Sequence, residues 1–237
     1  MSQVAARNER PPAKRAGSVR KAAASGRTLT EKAYRELEER IVTLQLKPGE
    51  FLSEYALSNS LKIGRTPIRE ALQRLSREDL VTILPRKGIL VSETDPRKQL
   101  LVLEVRRELE RLVCRLAAQR AAEAQRQRFR EIAASMDRAA KTNDDMMFMR
   151  LDRELNLLIA EAAQNDYASR AMRFLQGHSR RFWYLHYKQA ADLPLCARLH
   201  ANQARAVAAG DVKAAAAASD RLIDYVVTFT RATVTGF

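Results

Sequence analysis

From Thr28 onward the apolar positions of this chain recur at helical spacing almost to the end, and they leave that rhythm in one stretch only. Tyr34, Leu37, Ile41, Val42 and Leu44 make one face of a first helix, which Thr28 to Glu31 would open as a capping box. Lys47-Pro48-Gly49-Glu50 reads as a turn, because Pro presets its φ and Gly accepts a positive one. Ser53 can cap a short second helix with Tyr55, Ala56, Leu57 and Leu61 as its apolar positions. A tight turn over Lys62-Ile63-Gly64-Arg65 leads into a third helix, whose apolar face is Ile68, Ala71, Leu72 and Leu75. The period then changes. Leu80-Val81-Thr82-Ile83-Leu84 and Ile89-Leu90-Val91 flank Pro85-Arg86-Lys87-Gly88, and two β-branched runs around a Pro/Gly turn predict a hairpin. From Asp95-Pro96, an N-cap and first-position pair, the pattern is helical again. Breaks near Ala122, Thr142-Asn143-Asp144, Gln164-Asn165-Asp166, Ala190-Ala191-Asp192 and Ala209-Gly210-Asp211 divide it into about six helices of bundle length.

Within the first part, Gly64 to Leu80 is the stretch that suggests a use. Thr66 is placed as an N-cap and Pro67 as the first helical residue. Arg65, Arg69, Gln73 and Arg74 point away from the apolar face. Such arginines on an arbitrary helix are simply solvated. Here they follow a short helix and a tight turn and precede a hairpin with a basic tip. Helix, turn, helix and wing is the plan that inserts its last helix into a DNA major groove, with the wing tip near phosphate or the minor groove. The expected fold class is therefore mainly α. An N-terminal winged helix-turn-helix with a small β-hairpin spans 28–92, and a C-terminal all-α bundle spans 96–233.

Composition agrees. Hydrophobic residues are 46% of the 237, enough for a sizeable core, and aromatic residues are only 6%, which favours packed helices. The net charge of +14 points to a polyanionic partner. Seven basic side chains against Glu9 alone lie in residues 1–27, which lack periodic apolar positions and read as a disordered basic arm. The winged segment is itself neutral, so its case rests on where its charges sit. The arm keeps a second reading open, that of an architectural nucleic-acid binder without sequence preference. Cys114 and Cys196 lie in apolar helical contexts and read as buried thiols, not a disulfide framework. No apolar run approaches the ~18–20 residues of a membrane span, and no apolar stretch follows the first charges as in a secretory signal. The expected location is cytoplasmic, with no membrane partner. No P-loop, Gly-rich dinucleotide signature, HExxH or nucleophile elbow is present, so an enzyme is not expected.

Leu52-Ser53-Glu54, Gly64-Arg65-Thr66-Pro67-Ile68-Arg69-Glu70-Ala71-Leu72, Leu80-Val81 and Arg86-Lys87-Gly88 together resemble the winged helix-turn-helix of the GntR family of bacterial transcriptional regulators. Glu104-Val105-Arg106-Arg107-Glu108-Leu109-Glu110, Leu151-Asp152, and His200 before Ala206-Val207 and Gly210-Asp211 resemble the helical effector domain (FCD) of its FadR subgroup. The resemblance implies a homodimer that binds a palindromic operator as a repressor and responds to a small metabolite, often a carboxylate. It implies DNA contacts by Arg65, Thr66 and Arg69, and by Arg86, Lys87 and Gly88 of the wing. Gly64 departs from the hydroxyl residue usual before the arginine, which removes one phosphate hydrogen bond.

The resemblance also implies a divalent metal of the zinc or nickel type in many such domains. The usual ligands are an Asp, a His four residues on, and two later His. Asp152 and His200 fit the first and third positions, whereas Asn156 and Leu222 stand at the other two. An amide is a weak ligand for such ions and Leu is none, which argues against a tightly held metal. Asp152 and His200 would then form a charge-assisted pair or, together with Asn156, contact an effector. Arg106 either receives an effector carboxylate or makes a surface or interface salt bridge with Glu110 one turn on. His178 and His186 match no ligand position, and His186 reads as packing among Trp183, Tyr184 and Tyr187.

Overall fold

The computed structural model describes residues 16–235. The first part consists of α1 (Ala16–Val42), β1 (Phe51–Leu52), α2 (Glu54–Leu61), α3 (Arg65–Arg77), β2 (Val81–Leu84) and β3 (Gly88–Val91). Six helices follow: α4 (Pro96–Arg120), α5 (Glu123–Thr142), α6 (Asp145–Ala162), α7 (Asp166–Ala190), α8 (Leu193–Ala209) and α9 (Val212–Thr235). The expected winged helix-turn-helix and six-helix bundle are both present, and the bundle helices begin and end at the expected breaks. Among the described residues no helix is long and apolar enough to cross a membrane.

Two helix starts differ from expectation. Of the arm expected over residues 1–27, residues 1–15 lie outside the described residues, and 16–27 are helical backbone continuous with α1. Thr28 therefore does not open the helix. That segment is rich in Ala, Lys and Arg, residues of high helix propensity, and a helix already anchored further on extends through them at little cost. The second difference is in α3. Its N-cap is Gly64, without a side-chain cap, so Thr66 and Pro67 are the second and third helical residues. Ile68 makes the first backbone bond, to the Gly64 carbonyl at 3.3 Å. Pro67 still lies in the first turn, where its missing N–H is not needed. Ser53 and Asp95 do cap as expected, accepting from the amides of Ala56 and Arg97.

The hairpin forms with Ile83 opposite Ile89 and Leu84 opposite Gly88. Gly88 has φ of +110°, a conformation that side chains rarely adopt, so the turn needs glycine there. The two-residue β1 adds to its outer edge, giving an antiparallel sheet of order β1-β3-β2. It is too short to show as a period in the sequence.

Two cores result. Ala33, Tyr34, Leu37 and Ile41 of α1 pack with Leu57, Ile68, Leu72, Leu75, Val81 and Val91 under the wing. The bundle core runs from Val113 and Phe129 through Leu155 and Phe182 to Phe229, and it also takes Val42, the last residue of α1. One helix is thus shared between both parts. α7 is the bundle helix that faces the winged part: Leu80 would meet a Cβ at Gly177 at 3.3 Å, and buried Arg181 donates to the Ser92 carbonyl of the connecting segment. Cys114 and Cys196 are free and buried, as expected.

Within the bundle, α5 packs most extensively on α8, and α4 on α9. Arg126 of α5 ties two of these helices together at their C-terminal ends. Its guanidinium donates to the carbonyls of Ala118 and Ala121 at 2.9 and 3.1 Å and to those of Val207 and Ala208 at 3.2 Å. Apart from that of Val207, which also accepts from the Gly210 amide at 3.0 Å, these are carbonyls that a helix end leaves without backbone partners, and the negative ends of two helix dipoles converge on one cation. Arg126→Ala is expected to cost about 2 kcal/mol, measured as a lower urea midpoint with an unchanged slope. An unchanged midpoint would show that water replaces the guanidinium without loss.

Candidate functional site

The described residues hold two separate groups of functional side chains. The first is the face of α3 and the wing. Gly64, Arg65, Thr66 and Arg69 are exposed at the start of α3, and Arg86, Lys87 and Gly88 are exposed at the hairpin tip. Ile68, Ala71, Leu72 and Leu75 are buried behind them, so the helix is fixed on the core and presents its first turn outward. Among the described residues, Arg65, Arg86 and Lys87 make no ion pair within 4 Å. Arg69 does. Its Nε and Nη2 donate to Glu54 of α2 at 3.0 and 2.8 Å, a bidentate fork. Glu54 belongs to the motif singled out in the sequence, but its pairing does not show there, because the two residues lie on different helices. The fork fixes the direction of Arg69 and leaves its Nη1 edge for a partner.

α1 braces α3 from behind. The Thr30 hydroxyl donates to Glu70 at 2.6 Å, Arg74 to Glu31 at 2.8 Å, and the Tyr34 hydroxyl to Glu78 at 2.7 Å. The Arg74 guanidinium also lies 3.5 Å over the Tyr34 ring.

The second group is inside the bundle. Asp152 of α6 and His200 of α8 are both buried and meet with Nε2 3.2 Å from Oδ1. The other ring nitrogen, Nδ1, lies 2.8 Å from the Cys196 carbonyl, which can only accept. With Nδ1 donating there and Nε2 facing a carboxylate, the geometry suits the doubly protonated ring. Burial opposes that charge, but contacts with Cys196 and Asp152 outweigh it and hold the His200 proton well above the ordinary histidine range. Burial likewise opposes the Asp152 carboxylate, yet His200 and Arg180 keep its pKa below the usual value.

Arg180 of α7 is the member that sequence reasoning missed. It lies with Nε 2.9 Å from Asp152 Oδ2, as an ion pair not aligned for a hydrogen bond, so its buried Nε–H has no hydrogen-bond partner. Arg106 of α4 is buried as well. Its pairing with Glu110 at 2.7 Å is real but lies inside the bundle, not on the surface, and Gln203 completes Glu110 at 3.0 Å. Arg106, Asp152, Arg180 and His200 line one cavity of about 30 Å³ with Phe148, Met149, Ser179, Trp183, Cys196 and Val226. The Trp183 indole N–H is buried without a partner. Asn156 departs from expectation. It donates to Asp152 Oδ1 at 2.9 Å but opens onto the cleft towards α1 and α7 on the other side. Its amide supports the acid from outside the cavity.

The donor set does not fit a divalent metal. Asp152 spends one oxygen on His200 and Asn156 and faces Arg180 with the other. Leu222 packs with Leu103, Ile223 and Val226. Among the described residues no group of three or more His, Cys, Asp or Glu side chains is arranged to hold one. A guanidinium supplies the positive charge beside Asp152. His186 lies tilted against Phe182 with ring centroids 4.6 Å apart, and His178 meets Phe174 edge-on at 5.4 Å, so both pack against aromatic rings.

Comparison with known proteins follows these two groups. Residues 29–91 match the model of bacterial regulatory proteins of the gntR family, and residues 101–225 match the FCD domain. An HTH-type transcriptional regulator of Streptomyces ambofaciens is 43% identical over 72 residues, 30% of each chain. The Nta operon transcriptional regulator of Aminobacter aminovorans is 31% identical over 125 residues, 53% of this chain and 59% of that one. The matched stretches thus span less than two thirds of either relative. E. coli McbR/YncC has the same fold, with a TM-score of 0.75 at 20% identity over 87% of this chain and 98% of that one.

Because the folded His200 holds its proton more tightly than an unfolded histidine, its contribution to stability is full below the ordinary pKa of about 6.5. It is lost as pH rises through the raised value. The melting temperature of the wild type should exceed that of His200→Gln by most at pH 6, and the gap should narrow towards alkaline pH. A gap that stays constant over this range would contradict a charged His200.

Proposed function

We propose that this chain, which belongs to the GntR family of bacterial regulatory proteins and carries an FCD domain, is a DNA-binding transcriptional regulator controlled by a small carboxylate. The families it matches are regulators and not enzymes. The recognition surface is the first turn of α3 with the wing. Arg65 and Thr66 face the floor of the major groove, Arg69 offers the edge left free by Glu54, and Arg86, Lys87 and Gly88 reach the backbone or minor groove. Gly64 brings the backbone close where a hydroxyl would otherwise sit. The chain acts as a homodimer, so that two recognition helices read the two halves of a palindromic operator one helical turn apart. It acts as a repressor, with the metabolite weakening operator binding.

The observation that carries the effector reading is the unfinished hydrogen bonding of the cavity in the bundle. Arg106, Asp152, Arg180 and His200 line it, Glu110 and Glu38 pair the two arginines from outside it, and two buried donors of lining residues, Arg180 Nε and Trp183 Nε1, have no hydrogen-bond partner. Buried donors without acceptors are unfavourable, and an incoming carboxylate supplies acceptors and negative charge together. The non-specific architectural reading draws on the basic N-terminal residues and on nothing in this cavity.

Two measurements test the proposal. In a thermal-shift series with small mono- and dicarboxylates, at least one should raise the melting temperature, and by as much after chelator treatment as with added zinc or nickel. At a hundred times its dissociation constant such an acid adds about 2.7 kcal/mol of stability. No shift from any acid would overturn the effector assignment. A stabilisation that vanishes with chelator would restore the metal. On the DNA side, Arg65→Ala should weaken binding to a duplex selected from random sequence by about 1–3 kcal/mol while the protein stays folded. Equal affinity for selected and scrambled duplexes would favour the architectural reading.

A further inference from the structure

Glu38 takes no part in either site, yet it is a buried carboxylate, and it belongs to α1 of the winged part. Both its partners come from the bundle. Oε1 lies 2.8 Å from Nη1 of Arg180 on α7, and Oε2 lies 3.2 Å from Nε of Arg153 on α6. Arg180 therefore stands between two acids of different domains. Its Nη1 holds Glu38, its Nε faces Asp152 in the cavity, and its Nη2 makes only a long contact of 3.4 Å to the Met149 carbonyl.

Resting on the reading of the cavity as a carboxylate site, we infer that Arg180 couples the cavity to the recognition helix, by a competition between the cavity's occupant and Glu38 for one guanidinium. The cavity of about 30 Å³ has room for little more than a water molecule, so an organic acid enters only if a lining side chain yields. Phe148, Met149 and Trp183 are locked in the apolar core. Arg180 gains from yielding. Its Nε–H is unsatisfied and its Nη2 is weakly used, and Nε with Nη2 is an edge that matches a carboxylate bidentately. The guanidinium is rigid and planar, so drawing that edge to an acid in the cavity swings Nη1 away from Glu38. Glu38 then keeps only Arg153 for a buried charge, which is strongly unfavourable, and α1 must shift to relieve it. α1 carries Thr30, Glu31 and Tyr34, whose contacts with Glu70, Arg74 and Glu78 brace α3. Arg180 is a positioning residue here, and the two-state element is α1 seated on α7 or displaced from it.

A double-mutant cycle on the full chain tests this without an effector in hand. The probe is a duplex selected by the wild type from random sequence, and the readout is its dissociation constant at fixed salt. Asp152→Asn removes the acid at the cavity end, and Glu38→Gln removes the one at the α1 end with little change of shape. Arg180→Lys keeps the charge but cannot bridge both acids. The expected result is that Asp152→Asn changes duplex affinity about fivefold or more, the range of an ordinary allosteric coupling. That change should disappear in the Glu38→Gln background, and Arg180→Lys should behave in the same way. Should Asp152→Asn fail to fold, Arg180→Lys carries the cycle with Glu38→Gln. Affinities equal to the wild type, or effects that simply add to that of Glu38→Gln, would overturn the coupling while leaving the effector cavity intact. A wild type that selects no preferred duplex would overturn the regulator reading and the coupling with it.

Discussion

A guanidinium inside a helical bundle needs acceptors around it, and for Arg180 the main ones are acids that come from both halves of the chain. Much of the architecture follows from that requirement. Asp152 must sit on the inner face of α6, where His200 and Asn156 complete its remaining oxygen. Glu38 must reach across from α1, which fixes the rotation of α1 about its axis and hence which of its faces meets α3. Arg181, the next residue, is buried on the adjoining face of α7 and reaches the connecting segment at Ser92, and burial pulls its pKa down to about 10. The two halves are therefore joined through charge as well as through apolar packing at Val42 and Leu80.

The winged half was legible in the sequence because its signals are local. A turn, a short capped helix, a second turn and a β-branched hairpin each occupy a few consecutive residues, and the change of period marks the domain. Local signals also misled. Thr66-Pro67 is a strong start signal, but the turn after Ile63 closes early and Gly64 takes the cap. Asp152 and His200 were legible as a pair through family resemblance. Arg180 was not. It lies in Ser179-Arg180-Arg181, where one arginine of the two points at the cavity and the other at the connecting segment, and only the packing of α7 decides which. Glu38 is hidden among Glu36 and Glu39, of which it alone faces inward. The missing metal ligands were visible as Asn156 and Leu222, but the cation that stands beside Asp152 came from a helix with no ligand motif.

Polar groups inside the bundle divide into finished and unfinished sets. The Arg126 staple is finished, with four carbonyls around one cation. Gly210 belongs to it, because a Cβ there would lie 2.8 Å from an Arg126 nitrogen. Around the cavity, by contrast, Arg180 and Trp183 keep donors without acceptors. Arg181 Nε, Gln203 Oε1 and Ser219 Oγ are also buried without a hydrogen-bond partner, but the cavity is where two such residues line one space, which is the arrangement a site needs if binding is to reorganise it.

The fork between Arg69 and Glu54 bears on how this surface would respond to ionic strength. Duplex binding weakens with salt in proportion to the phosphates neutralised by cations that release condensed counterions. Arg69 is already neutralised by its own carboxylate in the free protein, so it brings direction to the interface but less than a full share of that release. A count of arginines on α3 and the wing therefore overstates the expected salt slope. The complex would tolerate swings in salt concentration better than one held by the same number of unpaired cations.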